Sequence, residues 1–419
     1  MNLGLLSLIA LVLAIAIGFF RKLNTGLIAI AFAFILGKLA GFKEADIING
    51  WSTQLFMMLL GVTFLFSIAQ TNGTLELFAR KVVAVAGRQT RLIPIAIYLL
   101  TTFLAAIGPG TIPVMALIAP ISMALAAELG ISPLLLAPIG ILGACAGGIS
   151  PIAPTGIIGI TLAAKQGITG IDLPYFYNSL MGETLFAAFL YLVLGGYKIK
   201  SDKVLKQSDL PAFNRDQLIT MAGIVTMVVV VLLTKYNVGL VAFVTGVVLL
   251  WLNVADERKS IAGIPWGTLI LVCGVGVLMN IAIKLKGIDM LAKFLATFMT
   301  PATASPIIGL TAGIMSWFSS TSGVVMPTLI PTVSALINSL GGNVSPLDLI
   351  SAITMTAHTA GISPASTGGA LALASYAANA HISAADQNKL FIQMFLVAVT
   401  GVIFMTLVAA SGLYRIWGL

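Results

Sequence analysis

An all-α, polytopic membrane protein built from two copies of one half is the expected architecture, and three features point there. The chain is 59% hydrophobic and 9% charged, whereas about a quarter of the residues in a soluble domain are charged. Apolar runs of about 20 residues, each long enough to span a bilayer, recur from end to end. Residues 108–156 and 319–369 repeat one pattern. The first copy runs Gly108-Pro109-Gly110-Thr111, Pro120, Ser132-Pro133 and then Gly148 to Gly156; the second runs Ser319-Ser320-Thr321-Ser322, Pro331, Ser345-Pro346 and then Gly361 to Gly369.

Taken in order, the apolar runs place spans near 3–20, 25–41, 53–70, 133–165 and 176–197 in the first half. In the second they fall near 216–234, 238–252, 266–284, 345–375 and 389–412. The first run is read as a retained helix with its N-terminus outside. No Lys or Arg precedes it and Arg21 and Lys22 follow it, the reverse of a secretory signal. After the third span of each half comes a short amphipathic segment, Leu75–Gly87 and Ile288–Met299. Two apolar helices follow, near 91–107 and 112–128, then near 303–318 and 323–340, joined by polar tips. If each pair crosses, a half has seven spans; if each is a re-entrant hairpin, it has five. Both counts are odd, so the halves are inverted either way, and the polar tips favour re-entrance.

The duplication extends along the chain. Asn24 and Gly26 recur as Asn237 and Gly239, Gly61 as Gly274, and Pro133, Gly148, Ser150 and Pro151 as Pro346, Gly361, Ser363 and Pro364, all at an offset of 213. Such a repeat takes precedence in assigning a fold. The division expected is 1–200 as the first inverted repeat, 201–215 as a cytoplasmic linker and 216–419 as the second repeat, with scaffold and transport domains drawn from both. Charge supports the orientation. Arg21 and Lys22, four residues between Arg80 and Arg91, five between Lys198 and Arg215, then Arg258, Lys259 and Lys389 make 14 of the 22 basic residues, all on inner segments. The net charge of +8 therefore implies orientation and no nucleic-acid partner. Cys145 and Cys273 lie in apolar runs as small hydrophobes. The two histidines make no metal cluster with ligand spacing.

A helix broken in mid-membrane frees N–H groups at one new end and carbonyls at the other. Helix starts suit anions; carbonyls and hydroxyls suit hard cations. Bilayer interiors tolerate such breaks only where something satisfies them, and matched interruptions in two halves mark a secondary transporter's binding site. Taken singly, each Ser or Thr would bond back to its own helix and each Gly would pack helices; the doubled constellation argues for a site. The expected substrate-binding residues are Gly110, Thr111, Ser150, Pro154, Thr155, Ser319, Ser320, Thr321, Ser363, Ser366 and Thr367. Gly108, Gly148, Ser322 and Gly361 are candidate sodium positions. Neither block holds Arg, Lys or an acid beside its break, which favours sodium co-transport or uniport over proton exchange. Glu128 and Asp348 are placed at helix ends near an interface. His358 is read as a packing histidine, with substrate or proton contact as the alternative. Glu183 is read as an intraprotein hydrogen-bonding acid, and His381 as a loop residue.

The runs Arg21-Lys22-Leu23-Asn24-Thr25-Gly26, Gly108-Pro109-Gly110-Thr111-Ile112-Pro113 and Ser150-Pro151-Ile152-Ala153-Pro154-Thr155-Gly156 resemble the malonate/dicarboxylate carrier family (MatC-like). The whole pattern resembles the ion transporter superfamily, including divalent anion–sodium symporters. That resemblance implies a homodimer in the inner membrane of a bacterial cell, with an elevator cycle in which the amphipathic segments act as arms. It implies a dicarboxylate, malonate first, bound between the tips, with sodium as coupling ion and no other cofactor. One departure stands out. The symporters carry Ser-Asn-Thr at both tips, and here the tips read Ser319-Ser320-Thr321 and Gly108-Pro109-Gly110-Thr111. The Asn amides that face carboxylates in those relatives are absent, which leaves the anion's pose and the number of sodium ions open. Carriers of other organic or inorganic anions, proton-coupled or uniporting, are the alternatives. An intramembrane enzyme would need a nucleophile–base pair or metal cluster, so no enzyme is expected.

Overall fold

The computed structural model describes residues 2–21, 23–85, 89–199, 210–378 and 383–417. Among them lie twenty helices and no strand, and the two halves run in step. The first half comprises α1 (Leu3–Arg21), α2 (Thr25–Leu39), α3 (Glu44–Ile48), α4 (Thr53–Thr71) and α5 (Thr74–Val85), then α6 (Ile93–Ala106), α7 (Thr111–Leu129), α8 (Pro133–Gly148), α9 (Pro154–Ala164) and α10 (Asp172–Val193). The second comprises α11 (Arg215–Thr234), α12 (Val238–Trp251), α13 (Glu257–Ala262), α14 (Trp266–Lys284) and α15 (Gly287–Ala296), then α16 (Ala304–Ser316), α17 (Thr321–Ser339), α18 (Pro346–Ala360), α19 (Thr367–Ala378) and α20 (Ala384–Ala410). Every expected span, amphipathic segment and tip has its element. The short helices α3 and α13 are additions, lying where the sequence suggested only loops. Most of the expected linker, residues 201–209, and the expected loop residue His381 lie outside the described residues.

Local chemistry explains why the halves start and stop together. Asn24 caps α2 by accepting from the Gly26 amide at 2.9 Å, and Asn237 caps α12 by accepting from Leu240 at 3.2 Å. Pro133 and Pro346 begin α8 and α18, where the missing N–H costs nothing. Pro120 lies inside α7 and Pro331 inside α17, which tightens to a 3-10 turn at Ile330–Thr332. Helices α4, α10, α14, α17 and α20 are long and apolar enough to cross a membrane. Large apolar side chains such as Phe20 (78% exposed), Leu233 (78%) and Trp251 (79%) line the periphery. In water such a surface would aggregate; facing acyl chains it is at home. This is a multi-pass membrane protein.

Packing between the halves is reciprocal. Helix α2 lies on α14 and α12 on α4; α6 packs on α8 as α16 packs on α18; α7 meets α19 as α17 meets α9. Two glycine pairs make the reciprocity atomic. A Cβ on Gly61 would lie 2.7 Å from the Gly239 carbonyl carbon and 2.8 Å from its Cα. A Cβ on Gly274 would meet the same two atoms of Gly26 at the same distances. Each half thus makes the same pair of close contacts with the other.

Candidate functional site

Each tip is seated on the break that follows it. The chain turns between α6 and α7 at residues 107–110, and Gly110 takes φ 77°, a left-handed conformation that would strain a side chain. A Cβ there would also stand 2.7 Å from the Pro154 ring, so the tip lies flush on the start of α9. Thr111, the first residue of α7, shares a hydrogen bond with Thr155 at 3.2 Å between their hydroxyls. It also covers Gly148, where an added Cβ would overlap the Thr111 hydroxyl and stand 3.2 Å from its Cβ and amide nitrogen.

The second tip is tied down by hydroxyl–carbonyl bonds. Ser363 donates to the Trp317 carbonyl at 2.8 Å and Ser366 to the Ser319 carbonyl at 2.9 Å. Thr321 donates to the Ala357 carbonyl at 2.9 Å and is 2.9 Å from the Ser316 hydroxyl. Helix α17 opens with a π turn at Thr321–Val325, capped by Ser320, which accepts from the Gly323 amide at 3.2 Å.

The breaks share one geometry. In the first, Ser150 N–H donates to Gly147 and Ala153 N–H to Ser150, both at 2.9 Å; in the second, Ser363 donates to Ala360 at 2.9 Å and Ser366 to Ser363 at 2.8 Å. Gly156 and Gly369 each lie against the carbonyls of the break before them. The two tips and two breaks converge. A cavity of about 30 Å³ is lined by Thr111, Ile112, Met115, Cys145, Thr155, Ser320, Thr321, Ser322, His358, Gly361, Ser366, Thr367 and Gly368. A second void of about 30 Å³ adjoins it, shares Thr111, Ile112, Thr155 and Ser322, and reaches Thr63 of α4 and Thr268 of α14. The first turns of four helices (α7, α9, α17 and α19) thus surround one space. Each start brings unsatisfied N–H groups and a positive dipole end.

The expected site residues divide by what their polar groups already do. Thr111, Thr155, Ser320, Thr321, Ser322, Ser366, Thr367 and Gly361 line the first cavity and Pro154 the second. Gly110, Ser150, Ser319 and Ser363 stand behind them, as do Gly108, packed on Phe66, and Gly148 beneath Thr111. Ser319 bonds back to the Met315 carbonyl at 2.6 Å. The hydroxyls of Ser319, Thr321, Ser363 and Ser366 are engaged in the protein. Among the described residues no hydrogen bond engages those of Ser322 or Thr367, and Ser320 keeps its proton to donate.

One residue departs from expectation. His358 is not a satisfied packing residue: it is 3% exposed, lines the cavity, and its Nδ1 has no hydrogen-bond partner. Asp348 lies in the first turn of α18, at a helix end as expected, and is wholly buried, accepting from Arg415 Nε at 2.7 Å and from Ser305 at 2.8 Å. Glu183 meets expectation in accepting from Thr359 at 3.3 Å, although Thr359 adjoins the second break and so brings an acid nearer to it than the sequence suggested. The side chain of Glu128 lies outside the described residues.

Residues 1–148 match the family model of the dicarboxylate carrier protein MatC N-terminus, the group that the motifs resemble. No curated protein matches the chain in sequence. Among solved structures, the YdaH transporter of Alcanivorax borkumensis, described as having an unusual topology, superposes with a TM-score of 0.58 at 11% sequence identity. The alignment covers 88% of this chain and 87% of that one. At that identity the likeness is one of fold.

Proposed function

We propose that this chain is a secondary transporter of the inner membrane that carries a short dicarboxylate, malonate first, coupled to sodium. The observation that carries the reading is the meeting of four helix starts and their hydroxyls around one small cavity. The N-terminal match to a dicarboxylate carrier and the shared transporter fold support it.

Magnitudes favour a coupling cation. A dianion stripped of water costs several kcal/mol per charge. A helix start returns about 0.3–1 kcal/mol, up to about 2 where partly buried, so four starts offset only part of the cost. No Lys or Arg lines either void. A sodium ion bound with the substrate closes the gap, held by Ser322 and by carbonyls at the ends of the preceding half-helices, near Gly148 and Gly361. Gly108 lies at the first tip beside them.

Size dictates motion. A cavity of about 30 Å³ holds about one water, and a three-carbon dicarboxylate is several times larger. Binding therefore requires the tips to part from the breaks. In the proposed cycle α6–α10 and α16–α20 form a moving unit against α1–α4 and α11–α14. The amphipathic α5 and α15 connect the two units as arms, and two such chains associate as a dimer.

Uptake of labelled malonate into proteoliposomes, with and without an inward sodium gradient and in competition with succinate, oxalate and citrate, tests the proposal. Sodium-dependent uptake, lowered in Ser320→Ala and Thr367→Ala at unchanged insertion, is expected. Uptake indifferent to sodium sinks the coupling, and uptake of none of these anions sinks the substrate class.

A further inference from the structure

The two voids are lined by hydroxyls, small residues and apolar groups, with one basic side chain among them, His358. Five buried side-chain atoms among the described residues lack a hydrogen-bond partner: Ser122 Oγ, Asn178 Oδ1, Glu183 Oε1, Thr356 Oγ1 and His358 Nδ1. Of these residues only His358 lines the cavity. A buried polar atom left unpaired costs about as much as a hydrogen bond is worth, and in a native structure it calls for an explanation. Packing does not supply one here. The neighbouring Cys145 reaches the His358 backbone carbonyl at 3.9 Å and leaves the ring alone. The ring's tautomer is ordinarily set by the partner of one nitrogen, and the protein provides none at Nδ1. It stands in the last turn of α18, three residues before Gly361, facing the space into which the first turns of α7, α9, α17 and α19 open.

We infer that His358 is a substrate contact. Its imidazole N–H donates to one carboxylate of the bound dicarboxylate and selects dianions over monoanions, in a site that otherwise offers amides and hydroxyls. This rests on the carrier reading above and adds a specificity-determining residue to it.

The test uses the whole chain. His358 and His381 are its only histidines, so a His381→Gln protein labelled with 15N in the imidazole reports His358 alone. Solid-state 15N spectra in lipid nanodiscs are recorded during titration with malonate and, separately, with acetate, beside malonate uptake in proteoliposomes. A saturable shift of the ring nitrogens with malonate and a much smaller one with acetate is expected. His358→Leu should raise the uptake KM by roughly 10- to 100-fold, the loss of a hydrogen bond to a charged group. His358→Gln, which keeps an N–H donor, should recover part of that. If His358→Leu fails to insert, the spectra of the unsubstituted ring decide. Uptake with an unmoved ring signal overturns the contact and leaves the carrier reading standing. A malonate shift without uptake supports the contact and overturns the carrier reading, and the absence of both overturns both. Equal shifts with malonate and acetate overturn the selectivity.

Discussion

Gly148→Ala isolates the site from the fold. The new methyl would overlap the Thr111 hydroxyl and lie 3.2 Å from the Thr111 Cβ and amide nitrogen. Backbone atoms at 3.2 Å need give only a few tenths of an ångström. The hydroxyl cannot stay; it rotates away, breaking its 3.2 Å bond to Thr155 at a cost of about 0.5–1.5 kcal/mol. That is a modest loss of stability, and insertion and monodispersity should persist. The cavity, however, loses the Thr111 hydroxyl. If that group donates to a carboxylate, the missing bond is worth about 1.5–3 kcal/mol, so KM should rise roughly 10- to 100-fold. Uptake per reconstituted protein measures it, with Thr111→Val as the partner substitution. Both changes remove one hydroxyl, so the double variant should be no worse than either single. A KM within about two-fold of the parent, or losses that add in the double variant, would refute the reasoning.

Two further outcomes concern the scaffold and the far end of α18. Gly61→Ala sets a methyl 2.7–2.8 Å from Gly239 backbone atoms that no rotamer change can clear. Thermal unfolding in detergent should show a loss of about 1–3 kcal/mol, and Gly274→Ala, which meets the Gly26 carbonyl carbon and Cα at the same distances, should cost a similar amount. Arg415→Ala leaves the buried Asp348 with Ser305 alone. Because Arg415 is itself 48% exposed, about 1–3 kcal/mol is expected, below the cost of breaking a fully buried pair. Arg415→Ala with Asp348→Asn should recover most of it; an unchanged melting temperature in the single variant contradicts the pairing.

What was legible in the sequence was backbone chemistry. Gly, Pro, Ser and Thr inside apolar runs marked the tips near Gly110 and Ser320 and the breaks near Ser150 and Ser363, because nothing else tolerates them there. A nearly constant offset pointed to the two halves. Side-chain commitments were not legible, because they depend on which helix faces which. Ser319 and Ser363 look as available as Ser322 until their acceptors, Met315 and Trp317, are seen. His358 is one residue of an apolar helix, and only the third dimension turns it toward the cavity. Glu183 and Thr359 meet across 176 residues. Helices α3 and α13 are too short for any periodicity to announce.

The two tips are fastened unequally. Hydroxyl–carbonyl bonds from Ser363, Ser366 and Thr321 staple the second to its break and to the last turn of α18 before it, whereas the first rests on Pro154 with the single Thr111–Thr155 bond. At about 0.5–1.5 kcal/mol per bond, parting the first tip from its break in the proposed cycle is cheaper by the worth of about two such bonds. Two doors cut to one template therefore carry different latches. In the proposed cycle the lighter one stands ajar more often at equal solute on both sides, giving a symmetric blueprint a resting side.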